Sequence, residues 1–210
     1  MRCGTSFLWG IVSLCYHYLM ISAEYLGMIS GVFLIVGYIP YIYEVIRRTS
    51  IPNRASWFIW SLSTATILFG VNATGTHEAI WVPIADAVGC FSIFILSIFF
   101  GTGGWSKTDR FSLAISVISL LIWLFTGNVL IALFTNLLIY TSGYIPTIKK
   151  SIKDPKTESF TAWSFFLVGV LLNLVTVIIG NDSGFAIWLY PIVLVINVGV
   201  LYTVLVRRFF

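Results

Sequence analysis

Charged residues are scarce in this sequence. Only 10% of its 210 residues are Asp, Glu, Lys or Arg, whereas a typical soluble domain carries about 25%. Hydrophobic residues make up 59% of the chain, and the mean hydropathy is +0.97. This composition excludes an ordinary soluble domain and predicts an all-α integral membrane protein. Each span of such a protein needs about 20 apolar residues to cross roughly 30 Å of hydrocarbon.

Cysteines and catalytic motifs are also scarce. The three cysteines, Cys3, Cys15 and Cys90, lie in apolar stretches without paired spacing, and they predict neither a disulfide framework nor a metal site. The sequence contains no HExxH, no Gly-x-Ser-x-Gly, no phosphate-cradling loop and no clustered pair of aspartates. We therefore expect no enzyme activity, no cofactor and no metal.

Basic residues are absent from every second loop. The loops after the second, fourth and sixth predicted helices contain no lysine or arginine, whereas the other loops, the helix ends beside them and the C-terminal tail contain 11 of the 12. By the positive-inside rule the basic side is cytoplasmic. The core then starts outside at Glu24 and ends inside, in a plasma-type membrane, and the net charge of +4 needs no nucleic-acid partner. The seven predicted helices are 24–47, 55–71, 78–100, 109–126, 128–150, 160–180 and 184–206.

The N-terminal segment 1–23 has no single interpretation. Arg2 precedes an apolar run of roughly fifteen residues (7–21), which is short for a span that needs about 20. The segment has the shape of a signal peptide with a poor cleavage site. It is also compatible with an extra marginal helix, or with sequence upstream of a true start at Met20 or Met28. We expect it to be dispensable for function.

A four-residue stretch occurs twice, as Gly37–Pro40 and Gly143–Pro146, and both copies read Gly-Tyr-Ile-Pro. The two copies lie 106 residues apart, and Trp57 and Trp163 share the same offset. An offset that is held over about twenty residues indicates an internal repeat.

The repeat predicts two homologous three-helix units, residues 24–100 and 128–210, joined by a linker (101–127) that carries the fourth helix. A unit of three spans ends on the side of the membrane opposite to its start. The extra fourth helix returns the chain to the first side, so both units have the same orientation in the membrane. The predicted fold is therefore two parallel three-helix bundles joined by a linker helix, a 3+1+3 plan. Transporters built from parallel repeats bind their substrate at the repeat interface near mid-membrane.

This plan, with a proline near the inner end of the first and fifth helices, resembles the SWEET and PQ-loop superfamily over roughly residues 24–208. The motif is half present, because the Pro-Gln of the family is here Pro40-Tyr41 and Pro146-Thr147. Trp57 and Trp163 stand where sugar-carrying eukaryotic SWEETs have prolines. We expect these two tryptophans to belong to the aromatic belt of the inner membrane face.

The resemblance implies a facilitator that moves a small polar solute, such as a sugar, an amino acid or a vitamin-like molecule, by alternating access. A facilitator is expected rather than a strongly coupled pump because no second acid lies at mid-membrane depth. The superfamily shares its fold with a cargo-retrieval receptor, so the alternative is a non-transporting membrane receptor or assembly protein. The expected partners are a small-molecule substrate, the lipid bilayer and, optionally, further copies of the chain.

Asp86 is the one carboxylate well inside a predicted span, about eight residues and so roughly 12 Å from its outer end. An unpaired charge at that depth is costly, so the residue should face a watery cavity, pair, or stay protonated. It falls near the place where SWEETs carry a substrate-binding asparagine. We expect a binding or proton-coupling group; the alternative is a protonated acid hydrogen-bonded across helices.

Three asparagines, Asn136, Asn173 and Asn197, also lie at membrane depth. An amide both donates and accepts hydrogen bonds, which suits a neutral polar solute. Buried amides equally serve as links between helices. Trp60, one turn into the second predicted helix, is a candidate for stacking on a flat substrate.

Four prolines in the predicted helices are candidate hinges. Pro40 and Pro146 each remove a helix hydrogen bond and occupy matched positions, so we expect them to serve the inner gate. A static kink near a helix end is the alternative. Pro83 and Pro191 lie near the outer ends of the third and seventh helices, where they serve an outer gate or are simply tolerated in a first turn.

Overall fold

The fold is almost entirely α-helical. A computed structural model of the chain describes residues 3–74, 81–104, 106–126, 129–180 and 185–210, and no β-strand occurs in these ranges. The predicted all-α fold is confirmed. Two short 3-10 helices, Pro155–Thr157 and Arg207–Phe209, accompany the α-helices. The described α-helices are α1 (Cys3–Ile46), α2 (Arg54–Thr74), α3 (Trp81–Phe100), α4 (Lys107–Thr126), α5 (Val129–Lys153), α6 (Phe160–Gly180) and α7 (Phe185–Val206).

Each predicted helix corresponds to one of these α-helices, with differences at the ends. The largest difference is in α1, which runs without a break from Cys3 to Ile46, although the sequence predicts residues 1–23 as a separate segment. The fifth helix also continues past its predicted end at Lys150 to Lys153. Neither Pro40 nor Pro146 ends the helix that contains it.

Several helices have the length and composition of membrane spans. Within the described residues, four stretches are long and apolar enough to cross a membrane, as expected for an integral membrane protein. These stretches are Ala23–Ile46, Trp81–Phe100, Phe160–Gly180 and Trp188–Phe209.

The exposed face of α3 is apolar along its length. Its exposed positions recur every three to four residues and are apolar, and the side chain of Phe99 is 72% exposed. The opposite face of the helix is buried against the protein. A helix that is apolar on its exposed face suits hydrocarbon rather than water. Apart from Trp81 at the start of the helix, the exposed residues of α3 are Val88, Phe91, Ile95, Ile98 and Phe99.

The helices pack in two sets with matching contacts. In the first half of the chain, α3 packs against both α1 and α2, and in the second half α7 packs against both α5 and α6. Between the halves, α1 packs against α6 and α2 packs against α5. The repeat pairs α1 with α5 and α2 with α6, so it converts the first of these two contacts into the second. The remaining helix, α4, packs mainly against α5.

The basic loops converge at one end of the bundle, which we call the basic end. Arg54, at the start of α2, donates a hydrogen bond from Nε to the carbonyl oxygen of Ser97 in α3 (2.9 Å). Lys149, near the end of α5, donates from Nζ to Thr108 Oγ1 at the start of α4 (2.8 Å). The residues that define the predicted cytoplasmic side are therefore close together in space.

The helices that begin at this end are capped at equivalent positions. Asn53 Oδ1 accepts a hydrogen bond from the backbone N–H of Ser56 (3.0 Å) at the start of α2. Ser159 Oγ accepts one from the backbone N–H of Ala162 (3.2 Å) at the start of α6. Side-chain oxygens at this position satisfy the free N–H groups of a first helical turn. The two capping residues lie 106 residues apart, so the repeat extends to local structure.

Candidate functional site

A small cavity lies between the two halves of the helix bundle. Its volume is about 20 Å³, which is room for about one water molecule. The lining residues come from both halves, and most of them are buried aromatic side chains.

The cavity wall follows the internal repeat. Eight lining residues form four pairs whose members lie 106 residues apart, so each half contributes one member of every pair. This arrangement places the cavity at the interface of the repeats, where the sequence analysis expects a substrate site. The pairs are Leu34 and Tyr140, Tyr38 and Tyr144, Trp57 and Trp163, and Trp60 and Phe166; Asp86, Cys90, Val170 and Val198 complete the lining.

The repeated Gly-Tyr-Ile-Pro stretch has a structural explanation. A Cβ atom on Gly37 would lie 2.7 Å from Cε1 of Phe166, and one on Gly143 would lie 2.6 Å from Nε1 of Trp60. Real Cβ contacts are not this short, so each glycine admits an aromatic ring of the other half. The tyrosine that follows each glycine then lines the cavity. Each copy therefore makes the same pair of contacts with the opposite half.

Asp86 lies in the cavity wall and is 5% exposed. The Tyr38 hydroxyl group donates a hydrogen bond to Asp86 Oδ1 (3.1 Å) and lies 3.3 Å from Cys90 Sγ. Across the described part of the chain, the one ion pair is Lys150–Glu158 at the basic end. Asp86 therefore has a hydroxyl partner but no basic side chain beside it in that part.

Trp60 also lies in the cavity wall. Its indole N–H donates a hydrogen bond to the carbonyl oxygen of Tyr140 (3.0 Å), which fixes the ring between the halves. The ring centroid of Trp60 lies 4.7 Å from that of Tyr144, 4.9 Å from that of Trp57 and 6.1 Å from that of Trp163. The residue expected to stack on a substrate is thus part of a connected aromatic cluster.

The three asparagines lie outside the cavity lining. Asn136 and Ser63 form two hydrogen bonds between α5 and α2, from Ser63 Oγ to Asn136 Oδ1 (2.6 Å) and from Asn136 Nδ2 to the Ser63 carbonyl oxygen (3.2 Å). Asn197 Nδ2 donates to Thr141 Oγ1 (3.0 Å), which links α7 to α5. Asn173 is buried in α6. Two of the three amides therefore act as links between helices, and a role in substrate binding stays a prediction.

The four prolines lie inside continuous helices. Pro40, Pro146 and Pro191 are interior residues of α1, α5 and α7. Pro83 is the third residue of α3, in the first turn, where the missing N–H costs no helix hydrogen bond. The hinge function of these residues stays a prediction.

The two tryptophans expected in the aromatic belt are buried instead. Trp57 is 1% exposed and Trp163 is 2% exposed, and both line the cavity. The Trp163 indole N–H donates to Glu158 Oε2 (3.0 Å), whereas the Trp57 indole N–H has no acceptor in the described part of the chain. The first-half counterpart of Glu158 is Pro52, whose side chain cannot accept a hydrogen bond. The expectation was wrong because a tryptophan that opens a helix next to a basic loop has the same local sequence in a belt and in a core.

Glu158 is a buried acid that the sequence analysis did not single out. It is 1% exposed and lies just before α6. Tyr41 Oη donates to Glu158 Oε2 (2.7 Å), and Lys150 Nζ donates to Glu158 Oε1 (2.6 Å). Together with the bond from Trp163, these contacts join α1, α5 and α6 at the basic end. The loop before α6 contains two acids, Asp154 and Glu158, among its lysines, and its sequence does not show which of them is buried.

A scan of the chain against protein-family models, a search of curated proteins and a search of solved structures found no match. Within the described ranges, no group of three or more His, Cys, Asp or Glu side chains is placed to hold a metal ion. The cavity combines one carboxylate, tyrosine hydroxyl groups, a thiol and aromatic rings. These groups can bind a small solute by hydrogen bonds, charge and ring contacts.

Proposed function

We propose that the chain is a membrane facilitator that carries a small polar solute by alternating access between two three-helix repeats, as the SWEET and PQ-loop resemblance implies. The observation that carries this proposal is the cavity wall, in which paired residues of the two repeats surround Asp86. A substrate site at the interface of parallel repeats is the arrangement expected for such transporters.

The helix contacts support a 3+1+3 arrangement. The third helix of each half packs against the other two, and the contacts between the halves exchange under the repeat. Under this proposal α1–α3 and α5–α7 are the two parallel bundles, and α4 is the linker span. The basic end then faces the cytoplasm of a plasma-type membrane, with the C-terminus inside and Glu24 outside.

The small cavity requires a motion of the helices before a solute enters. Its volume of about 20 Å³ is too small for any sugar or amino acid. At the basic end, Tyr41 of α1 donates to Glu158, and Ser159 Oγ donates to Glu44 Oε1 of α1 (2.8 Å), so α1 is tied to the start of α6. Opening toward the cytoplasm breaks these bonds. Pro40 provides the hinge, because it leaves a helix carbonyl without its hydrogen bond.

The chemistry of the wall favours a facilitator over a coupled pump. Among the described residues that line the cavity, Asp86 is the one acidic side chain. One carboxylate is enough to bind a solute, whereas strong proton coupling usually uses chains of acids or histidines. Asp86 therefore acts as a binding group in this proposal.

The experiment is uptake into proteoliposomes that contain the purified full chain, with a panel of labelled sugars, amino acids, nucleosides and vitamins. We expect uptake of at least one solute, and we expect Asp86→Asn to lower it by about tenfold or more, since hydrogen bonds to charged groups carry that free energy. Glu24→Gln is the matched control, because Glu24 is exposed and is not among the residues that line the cavity.

Two results would contradict the proposal: no member of the panel enters the vesicles, or uptake is unchanged in Asp86→Asn. A non-transporting receptor on the same fold predicts the first result. The small volume of the cavity is the observation that favours that alternative.

A further inference from the structure

The described residues of the cavity wall include an acidic side chain and no basic one. Asp86 contributes a carboxylate, and no lysine or arginine is among the described residues of the lining. The Tyr38 hydroxyl group is the one hydrogen-bond donor that Asp86 has in the described part of the chain. An ionised carboxylate in such surroundings needs a positive partner, because one neutral hydroxyl does not replace its lost hydration.

The remaining wall is made mostly of aromatic rings. Seven lining residues are Tyr, Trp or Phe, and the rings of Trp60 and Tyr144 lie against each other at 4.7 Å. The face of an aromatic ring attracts a cation, and tryptophan does so best. A site for a neutral polyol uses amides and hydroxyl groups, and the described wall offers the hydroxyl groups of Tyr38, Tyr140 and Tyr144 but no amide side chain. The three membrane-depth asparagines lie outside the lining, and two of them form hydrogen bonds with residues of neighbouring helices.

We infer that the solute is a small organic cation, such as a primary amine or a quaternary ammonium compound. Its positive nitrogen contacts Asp86 and the rings of Trp60 and Tyr144. This inference rests on the proposed transport function and names the substrate class of the same site. Because the small cavity holds about one water molecule, the rings must separate as the helices open.

The experiment is calorimetric titration of the purified full chain in detergent with two matched pairs of ligands. Choline is compared with 3,3-dimethylbutan-1-ol, and ethanolamine with propan-1-ol; each neutral alcohol carries carbon in place of the charged nitrogen. We expect each cation to bind about tenfold or more tightly than its neutral partner. We expect Asp86→Asn to abolish that difference.

Equal binding within both pairs, or tighter binding of the neutral alcohols, would overturn the inference. The comparison of ligands on the unmodified chain needs no variant, so it holds even where Asp86→Asn does not fold. Trp60→Leu is the second variant, and we expect it to weaken cation binding more than alcohol binding.

A flux measurement separates this inference from the transport proposal. Proteoliposomes loaded with unlabelled choline are tested for counterflow of labelled choline. Cation-selective binding without counterflow would overturn the transport function and leave the inference standing. Flux of neutral solutes with no cation preference in binding would overturn the inference and leave transport standing.

Discussion

The Tyr41 hydroxyl group donates a hydrogen bond of 2.7 Å to Glu158 Oε2, across a sequence separation of 117 residues. Glu158 also accepts hydrogen bonds from Trp163 and Lys150, so three donors surround one buried carboxylate. The donors come from α1, α5 and α6, and Trp163 is part of the cavity wall. The basic end is thus joined to the cavity through a single acid.

Removal of the Tyr41 hydroxyl group should lower the stability of the fold. We expect Tyr41→Phe to lower the free energy of unfolding by about 1 to 3 kcal/mol, because the bond goes to a charged, buried acceptor. The measurement is thermal unfolding in detergent. Tyr43→Phe is the control, because Tyr43 is 58% exposed and its ring contact with Arg47 survives the change. Equal losses of stability in both variants would show that the buried hydrogen bond does not stabilise the protein more than an exposed tyrosine hydroxyl group does.

The Lys150–Glu158 ion pair should behave as a coupled unit. Removal of one partner from a buried pair costs about 3 to 5 kcal/mol, because the other charge stays buried. Here the Glu158 side chain is 0% exposed and that of Lys150 is 15% exposed, so removal of the lysine should cost more than removal of the acid. We expect large losses of stability in Lys150→Met and in Glu158→Gln, and a smaller loss in the double variant than the two single losses combined. A double-mutant cycle from chemical denaturation measures this coupling. Strictly additive losses would show that the two residues act independently.

The glycines of the repeated stretch should not tolerate a methyl group. We expect Gly37→Ala and Gly143→Ala each to cost about 1 to 3 kcal/mol of stability, because the added Cβ meets a ring of the opposite half. Gly199→Ala in α7 is the control, because a Cβ there meets nothing within 4 Å. Alanine favours a helix over glycine by up to about 1 kcal/mol, so that variant should be neutral or stabilised. If all three variants lost the same stability, the rings would not explain the glycines.

Much of the fold could be predicted from the sequence, because its signals are local. Seven apolar runs and the loops between them give the seven helices. The offset of 106 residues, read from Trp57 and Trp163, indicates the repeat that the cavity wall follows. Asp86 could also be placed, because an isolated carboxylate in an apolar helix has few tolerable positions besides a cavity.

The remaining parts of the site depend on contacts between distant segments. An amide such as Asn136 suits either a substrate or a neighbouring helix, and its partner Ser63 is 73 residues away. Glu158 looks like a solvated loop residue until donors from three helices converge on it. For the same reason Trp57 and Trp163 could be read as belt residues, since nothing in their neighbouring sequence shows what covers them.

Cys90 can report whether a thiol reagent reaches the cavity. It lines the wall beside Asp86, is 3% exposed, and carries a free thiol. Replacement of the other two cysteines, as Cys3→Ser and Cys15→Ser, leaves Cys90 as the one thiol of the chain. In that background, Cys90→Ser combined with Val88→Cys is the matched control, because position 88 is 64% exposed on the apolar outer face of α3.

Alternating access requires that the cavity open to each side of the membrane in turn, so the decisive measurement is labelling of Cys90 by a membrane-impermeant methanethiosulfonate. The reagent is added to right-side-out and to inside-out membrane vesicles, and mass spectrometry measures the modified fraction. We predict that Cys90 is modified from both sides, whereas a cysteine at position 88 is modified from neither. Modification of Cys90 from one side only, or from neither, would contradict the account.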